Sequence, residues 1–187
     1  ARALLRAAGL DDSAIDGRFD SLWSVYLREL AAELSQASHR TRVLPGVVAP
    51  LDELARRRDD VVLGLLTGNI EEGARLKLAS CGLGGRFALG AFGSDDEVRD
   101  RLGPVAVERA RDLLGITFQG ADIVVVGDTP RDVQCARPVG ARAVAVATGR
   151  HTVAELAEAG ADAVLQDFSD ISRALASLLG PQDAAVR

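Results

Sequence analysis

The order of hydrophobic and polar residues changes character near residue 44. Before it, apolar side chains recur at every fourth position, so they share one face of a helix. These residues are Leu22, Tyr26, Leu30 and Leu34. The first 43 residues are therefore predicted to be helical, with a polar, loop-like stretch over 35–42. From residue 44 onward, short apolar runs alternate with amphipathic segments, which is typical of alternating strands and helices.

The alternating region predicts an α/β fold. Strands are expected over residues 61–66, 87–92, 123–126, 143–147 and 163–165. Helices are expected over 47–57, 70–80, 104–114, from 130 to the proline at 138, over 153–158, and from the region of 169. Strands separated by helices form a parallel sheet with right-handed crossovers. The β-branched run Ile123–Val126 suits a strand buried on both faces.

Two carboxylates, Asp128 and Asp132, follow the most strand-like run of the chain. Thr129 as N-cap, Pro130 as first helical residue and Asp132 in a capping box would explain part of this segment by helix capping alone. Capping does not explain Asp128, which is expected at the carboxyl end of a strand, where open α/β sheets bind ligands. Hard divalent cations prefer such oxygen ligands. Asp128 is therefore a candidate metal ligand.

A second strand ends in Thr67-Gly68-Asn69. Asn69 as a helix cap, with Glu72 three residues on, is one interpretation. The other is an anion site, because a helix N-terminus offers free N–H groups and the positive end of its dipole.

A basic residue is a third element of this candidate site. Arg99 and Arg101 flank the start of the next predicted helix. Each is compatible with a solvated surface arginine, and one of them is a candidate to neutralise a phosphate.

Composition excludes several classes of function. The net charge is −5 and aromatic residues make up 4%, so neither nucleic acid nor an anionic membrane is an expected partner. No apolar run reaches the ~20 residues of a membrane span. Two separated cysteines, without metal-ligand spacing, predict a reduced, cytoplasmic protein. The sequence contains no methionine, and we expect that the true N-terminus lies upstream.

Read together, these segments resemble the haloacid dehalogenase (HAD) superfamily of Asp-nucleophile phosphatases. Leu66-Thr67-Gly68-Asn69 is similar to the second motif of that family, and Val126-Gly127-Asp128-Thr129-Pro130-Arg131-Asp132 to its fourth, a GDxxxD metal motif. The resemblance covers residues 44–179 and is closest to phosphoglycolate-phosphatase-type members. It implies a doubly wound, Rossmannoid core over 44–187, with residues 1–43 as part of an α-helical cap.

The resemblance also implies site residues and a reaction. Thr67, Gly68 and Asn69 would bind a phosphoryl group, and Arg99, favoured over Arg101, would stand for the third-motif lysine. Asp128 would hold Mg²⁺ with support from Asp132. The substrate would be a small phosphorylated metabolite, hydrolysed through an aspartyl phosphate.

Three features depart from the family pattern. No DxDGT-like first motif, which carries the nucleophile, occurs in residues 1–187. The third-motif residue is arginine, and Pro138 interrupts a helix that usually continues. The strand of the first motif would lie between those ending at Thr67 and Asp128, so its absence would leave these strand ends roughly 10 Å apart.

Three other functions remain open at this stage. A non-catalytic relative that binds phosphate or metal would lack the nucleophile, and a dehalogenase or a phosphonate hydrolase would share the superfamily. A receiver-like signalling domain also unites Asp, Thr and a basic residue. Its acid pair lies early in the chain, however, so the layout disfavours it.

Overall fold

A computed structural model describes residues 2–36, 39 and 41–180 of the chain. Its helices are α1 (Arg2–Ala7), α2 (Asp12–Leu34), α3 (Val48–Arg56), α4 (Glu71–Ser80), α5 (Leu102–Leu114), α6 (Pro130–Ala136), α7 (Val153–Glu158) and α8 (Ile171–Leu179). Its strands are β1 (Gly64–Thr67), β2 (Leu89–Phe92), β3 (Val124–Gly127), β4 (Arg142–Val146) and β5 (Ala163–Leu165). The alternation of strands and helices beyond residue 44 is thus confirmed.

The strands are all parallel, as predicted, but they form two sheets. One sheet pairs β1 with β2, and the other has the order β3-β4-β5. Within the described part of the chain, β1 and β3 have no strand between them, and each has a strand partner on one side only. The carboxyl ends of β1 and β3 carry the loops after Thr67 and Gly127.

β3 is less buried than its sequence suggests. The expectation that residues 123–126 are covered on both faces is wrong for Val126, whose exposed fraction is 43%. The free edge of β3 faces an open groove, so its side chains lack neighbours on that side. β4, which is paired on both edges, buries every residue from Ala143 to Val146.

The core packs on both faces of the sheet formed by β3, β4 and β5. One cluster joins Val133 and Ala136 of α6 with Leu156 of α7. The other joins Val144 and Val146 of β4 with residues of β5 and α8. Helices on both faces of parallel strands are the doubly wound arrangement that the resemblance implies. Packing on both faces of the sheet fixes the position at which the loop after β3 begins.

Before residue 44 the described chain is mostly helical, as predicted, since α1 and α2 cover Arg2–Ala7 and Asp12–Leu34. Long α2 packs on α4, where Tyr26 lies so close to Gly73 that an added methyl group would be 3.0 Å from its ring. The division into a cap over 1–43 and a core over 44–187 stays a prediction. No helix of the described chain is both long and apolar enough to cross a membrane.

Pro138 does not simply end a helix. α6 stops at Ala136, and Arg137–Val139 continue as a turn of 3₁₀-helix that closes on Gly140 in the left-handed region, at φ 66°. A 3₁₀ turn accommodates the proline because its first positions need no amide donor.

Candidate active site

Thr67, Gly68 and Asn69 form a tight turn between β1 and α4. The hydroxyl oxygen of Thr67 accepts hydrogen bonds from the backbone N–H of Asn69 at 3.2 Å and from its side-chain amide at 2.8 Å. The carbonyl of Asn69 accepts one from the N–H of Gly93, after β2, at 2.8 Å. A methyl group at Gly93 would overlap the carbonyl of Gly68. The turn is therefore held from both of its sides.

The capping interpretation of Asn69 is wrong. The residue at the N-cap of α4 is Ile70, and no side chain caps the helix there. The amide carbonyl of Asn69 instead accepts a hydrogen bond from Lys77 at 2.7 Å. Asn69 thus orders the turn rather than the helix.

The loop after β3 forms the capping box that the sequence predicts. Thr129 caps α6, and the Asp132 carboxylate accepts hydrogen bonds from its N–H at 3.0 Å and its hydroxyl at 2.7 Å. The same oxygen accepts the N–H of Asp128 at 3.2 Å. Asp132 is 7% exposed. Its second carboxylate oxygen forms an ion pair with Arg99.

Asp128 lies in the same loop but in a different environment. It is half-buried, and its carboxylate accepts no hydrogen bond and forms no ion pair with the residues that the structure describes. The carboxylate packs against Gly149, where an added methyl group would overlap it. A carboxylate held in place without a compensating donor is available to a cation.

Arg99 lies between the two loops. One terminal nitrogen pairs with Asp132, and the other lies 3.4 Å from where a methyl group on Gly68 would be. Its Nε is buried and has no hydrogen-bond partner within the described residues. An unsatisfied buried donor of a charged group is costly unless an acceptor reaches it, so this guanidinium is suited to an anion.

Arg101 lies away from these loops. Its guanidinium is 3.4 Å from Asp96, and 70% of the side chain is exposed. The geometry therefore brings Arg99 together with Thr67, Gly68 and Asp132, and leaves Arg101 at the surface.

Cys135 contacts the backbone of Arg99 from the core. Its thiol donates to the carbonyl of Arg99 at 3.4 Å, and none of its surface is exposed. Burial raises the pKa of the Cys135 thiol, and the nearby Asp100 and Asp132 add to this against the opposing charge of Arg99. Cys135 thus faces the core.

The metal-ligating capacity of the described residues is limited. No group of three or more His, Cys, Asp or Glu side chains that could hold a metal ion occurs among them. Asp132 is engaged by Arg99, which leaves Asp128 as one oxygen ligand. Mg²⁺ is commonly held by one or two carboxylates together with substrate phosphate and water, and Asp128 fits that role.

Three residues of the candidate site are not predicted by the sequence alone. Lys77 orders Asn69, and Gly93 and Gly149 give space to the turn and to the Asp128 carboxylate. The signal for Lys77 is that it is the single lysine of the chain. The glycines carry no such signal, because their role depends on contacts between loops far apart in sequence.

Comparison with known proteins identifies similar sequences and folds. Residues 99–171 match the family model described as HAD-hydrolase-like. The phosphoglycolate phosphatase of Rhodospirillum rubrum is 32% identical over 173 residues, which is 91% of this chain and 66% of the relative. The phosphoglycolate phosphatase of Synechococcus elongatus is 29% identical over 180 residues, 95% of this chain and 76% of the relative.

A solved structure shows the same fold. The crystal structure of CbbY from Rhodobacter sphaeroides, in complex with phosphate, superposes with a TM-score of 0.63 at 19% identity. The match covers 81% of this chain and 65% of that one. The chain thus spans about two thirds of the length of the Rhodospirillum rubrum and Rhodobacter sphaeroides proteins.

Proposed function

Since the chain belongs to the HAD superfamily, among its phosphoglycolate-phosphatase-like hydrolases, we propose that the protein is a Mg²⁺-dependent phosphatase of a small phosphate monoester. The observation that carries the proposal is the position of Arg99. Its guanidinium lies between a turn suited to anions and a loop with a free carboxylate, and its Nε lacks a partner among the described residues.

The turn and Arg99 bind the phosphoryl group in this proposal. The hydroxyl of Thr67 and the amide of Gly68 donate to its oxygens, and Arg99 offsets the charge that develops during transfer. The amides of Asn69, which the resemblance also assigns to the phosphate, instead donate to the Thr67 hydroxyl and order the turn. One backbone donor of the α4 start, Glu71 N–H, already reaches the Ser94 hydroxyl at 3.4 Å. The binding contribution of the helix start therefore comes mainly from the residues of the turn itself.

The two carboxylates of the loop after β3 have separate roles. Asp128 is the oxygen ligand of Mg²⁺, which would supply charge stabilisation for the phosphoryl oxygens. Asp132 holds Arg99 in place and closes the first turn of α6. This division follows from their partners, because Asp132 is fully engaged and Asp128 is not.

The nucleophile is a carboxylate outside these elements. The resemblance assigns it to a first motif that residues 1–187 do not contain, and the reaction then passes through an aspartyl phosphate that water hydrolyses. The helices before residue 44 would exclude water and select the substrate. We place the enzyme in the cytoplasm. Its proposed substrate is a small metabolite such as phosphoglycolate, because two relatives are named phosphoglycolate phosphatase.

The test compares Asp128→Asn with Asp132→Asn in the complete gene product. Phosphate release is followed from a panel that contains phosphoglycolate, other small phosphate esters, a 2-haloacid and a phosphonate, over a range of Mg²⁺ concentrations. Asp128→Asn is expected to lower kcat by at least about 10²-fold and to raise the Mg²⁺ requirement. Asp132→Asn is expected to cost about 2 kcal/mol of stability, since it weakens charge-assisted hydrogen bonds.

Three outcomes of this assay contradict the proposal. Wild-type kinetics in both variants on every hydrolysed ester would exclude the metal assignment. Turnover of the 2-haloacid or the phosphonate alone would indicate one of the sister activities of the superfamily. Phosphate binding without turnover of any compound would indicate a non-catalytic relative.

A further inference from the structure

We propose that Lys77 is a positioning residue that keeps the hydroxyl proton of Thr67 free for a bound phosphate. This inference rests on the proposed phosphate-binding role of the Thr67–Asn69 turn. It concerns the one lysine of a chain that otherwise uses arginine for its cationic side chains. Lys77 lies half-buried on α4, and no ion pair of the described residues involves it.

The first step is the hydrogen-bonding capacity of Thr67. A hydroxyl group has one donor hydrogen and two acceptor lone pairs. Both acceptor positions of Thr67 are occupied, by the backbone N–H of Asn69 at 3.2 Å and by its side-chain amide at 2.8 Å. The hydroxyl hydrogen is left without an acceptor among the described residues, so it can donate to an incoming oxyanion.

The second step is the orientation of the Asn69 amide. This amide donates to Thr67 only while its nitrogen faces the hydroxyl and its oxygen faces away. An ammonium group is a donor without any acceptor, so the amide atom that lies 2.7 Å from Lys77 must be the oxygen. Lys77 thereby selects one of the two amide orientations.

The third step is the consequence of the other orientation. If the amide rotates by half a turn, its oxygen faces Thr67 and accepts the hydroxyl hydrogen. The hydroxyl then presents a lone pair to a phosphate oxygen, which is repulsive. Without Lys77 this orientation loses its penalty, so the turn would offer one donor fewer to the anion. Lys77 therefore acts through Asn69 on Thr67, without touching the phosphate.

The test measures binding of inorganic phosphate to the full chain as the gene encodes it, by calorimetry with Mg²⁺ present. Lys77→Met is expected to raise the Kd by about tenfold, since one neutral hydrogen bond is lost. Lys77→Arg, which keeps a donor-only cation, is expected to restore affinity to within about threefold. Arg75→Met is the matched control on the same helix, because Arg75 is exposed and pairs with Glu71 at 2.6 Å, and it should leave the Kd unchanged.

A double-mutant cycle with Thr67→Val separates positioning from a merely structural role. If Lys77 acts through the Thr67 hydroxyl, Lys77→Met should change the Kd by less than about twofold when that hydroxyl is absent. An equal loss in both backgrounds would overturn the inference, because a general loosening of α4 or a long-range charge effect does not need the hydroxyl.

The remaining outcomes also decide the question. Should Lys77→Met fail to fold in a thermal melt, Lys77→Gln replaces it, and equal affinities of the Gln and Arg variants would overturn the inference. If wild type and Lys77→Met bind phosphate with equal affinity, that result contradicts the inference about Lys77 and leaves the proposed function standing. Wild-type protein that binds no phosphate contradicts the proposed function, and the role of Lys77 falls with it.

Discussion

At the scale of single residues, Asp128 and Asp132 show how two carboxylates of one loop acquire different properties. Asp132 is 7% exposed, and its two oxygens are shared between the α6 capping box and Arg99. Asp128 rests against Gly149 and has no polar partner in the described chain. The first is suited to holding structure together and the second to holding a ligand.

Gly149→Ala is predicted to displace the Asp128 carboxylate while leaving residue 128 itself unchanged. The added methyl group would overlap the Asp128 carboxylate, so the carboxylate must move away from the position proposed for Mg²⁺. We expect a loss of about 10²-fold in turnover and a higher Mg²⁺ requirement, since misplacement by an ångström is costly in catalysis.

The control for this substitution is Gly17→Ala in α2. A methyl group there would have no atom within 4 Å, and the change should stabilise the helix by about 0.5–1 kcal/mol. Turnover of this variant should match wild type in the same phosphate-release assay. Full activity of Gly149→Ala would show that the Asp128 position is not needed for turnover.

At the scale of elements, Asp95 and Arg109 fasten α5 to the end of β2. Arg109 pairs with Asp95 at 2.8 Å, and Asp95 also accepts the N–H of Phe92 at 2.8 Å. Burial alone would raise the pKa of Asp95. The hydrogen bonds from Arg109 and Phe92 outweigh it, so the pKa lies below its ordinary value. This contact sets the position of the loop that packs on the Thr67–Asn69 turn.

Asp95→Asn is predicted to lower the free energy of unfolding at neutral pH by about 1–2 kcal/mol, through loss of charge-assisted bonds. Because the folded pKa is depressed, the ionised carboxylate stabilises the fold above its unfolded pKa, and this contribution is lost as the pH falls through the folded value. The difference between wild type and variant should therefore shrink below about pH 4.

Urea unfolding at several pH values measures this difference. Asp112→Asn is the control on α5, because Asp112 forms an exposed pair with its neighbour Arg111 at 2.9 Å, and exposed pairs contribute little. A difference for Asp95→Asn that stays constant from neutral to acid pH would assign the effect to packing rather than to charge.

At the scale of the whole molecule, the notable feature is the groove between the two sheets. A cavity of about 420 Å³ is lined by Gly64–Leu66 of β1 and Val124–Val126 of β3, with apolar side chains from α3 and α5. Both strands present an unpaired edge to it. Unpaired edges above an apolar floor are suited to receive a strand, and the resemblance places the strand of the first motif there.

Residues 1–187 alone are predicted to bind a hydrophobic dye and to unfold with low cooperativity, because the groove stays open. Protein in which a first-motif strand precedes residue 1 should lose dye binding, melt at a higher temperature and hydrolyse phosphate esters. Thermal melts, dye fluorescence and phosphate release on the two proteins provide the comparison. A short chain that melts sharply and hydrolyses esters at the rate of the long one would refute the placement of the nucleophile upstream.

The sequence by itself determined the α/β alternation, the capping box of α6 and the segments that form the candidate site. Each of these depends on residues close together in the chain, such as Thr129 with Asp132, or on a local apolar period. Boundaries shifted by only a few residues, as in β1, which begins at Gly64 instead of Val61. Such features can be predicted from sequence because the interacting residues lie within one or two helical turns of each other.

Tertiary structure decided which of these residues meet. The choice of Arg99 over Arg101, the engagement of Asp132 and the use of Asn69 by Lys77 all depend on side chains from different elements. The split into two sheets and the exposure of Val126 depend on which strands lie side by side. No local pattern encodes such contacts, because their energies arise from burial and hydrogen bonding between segments that only the folded chain brings together.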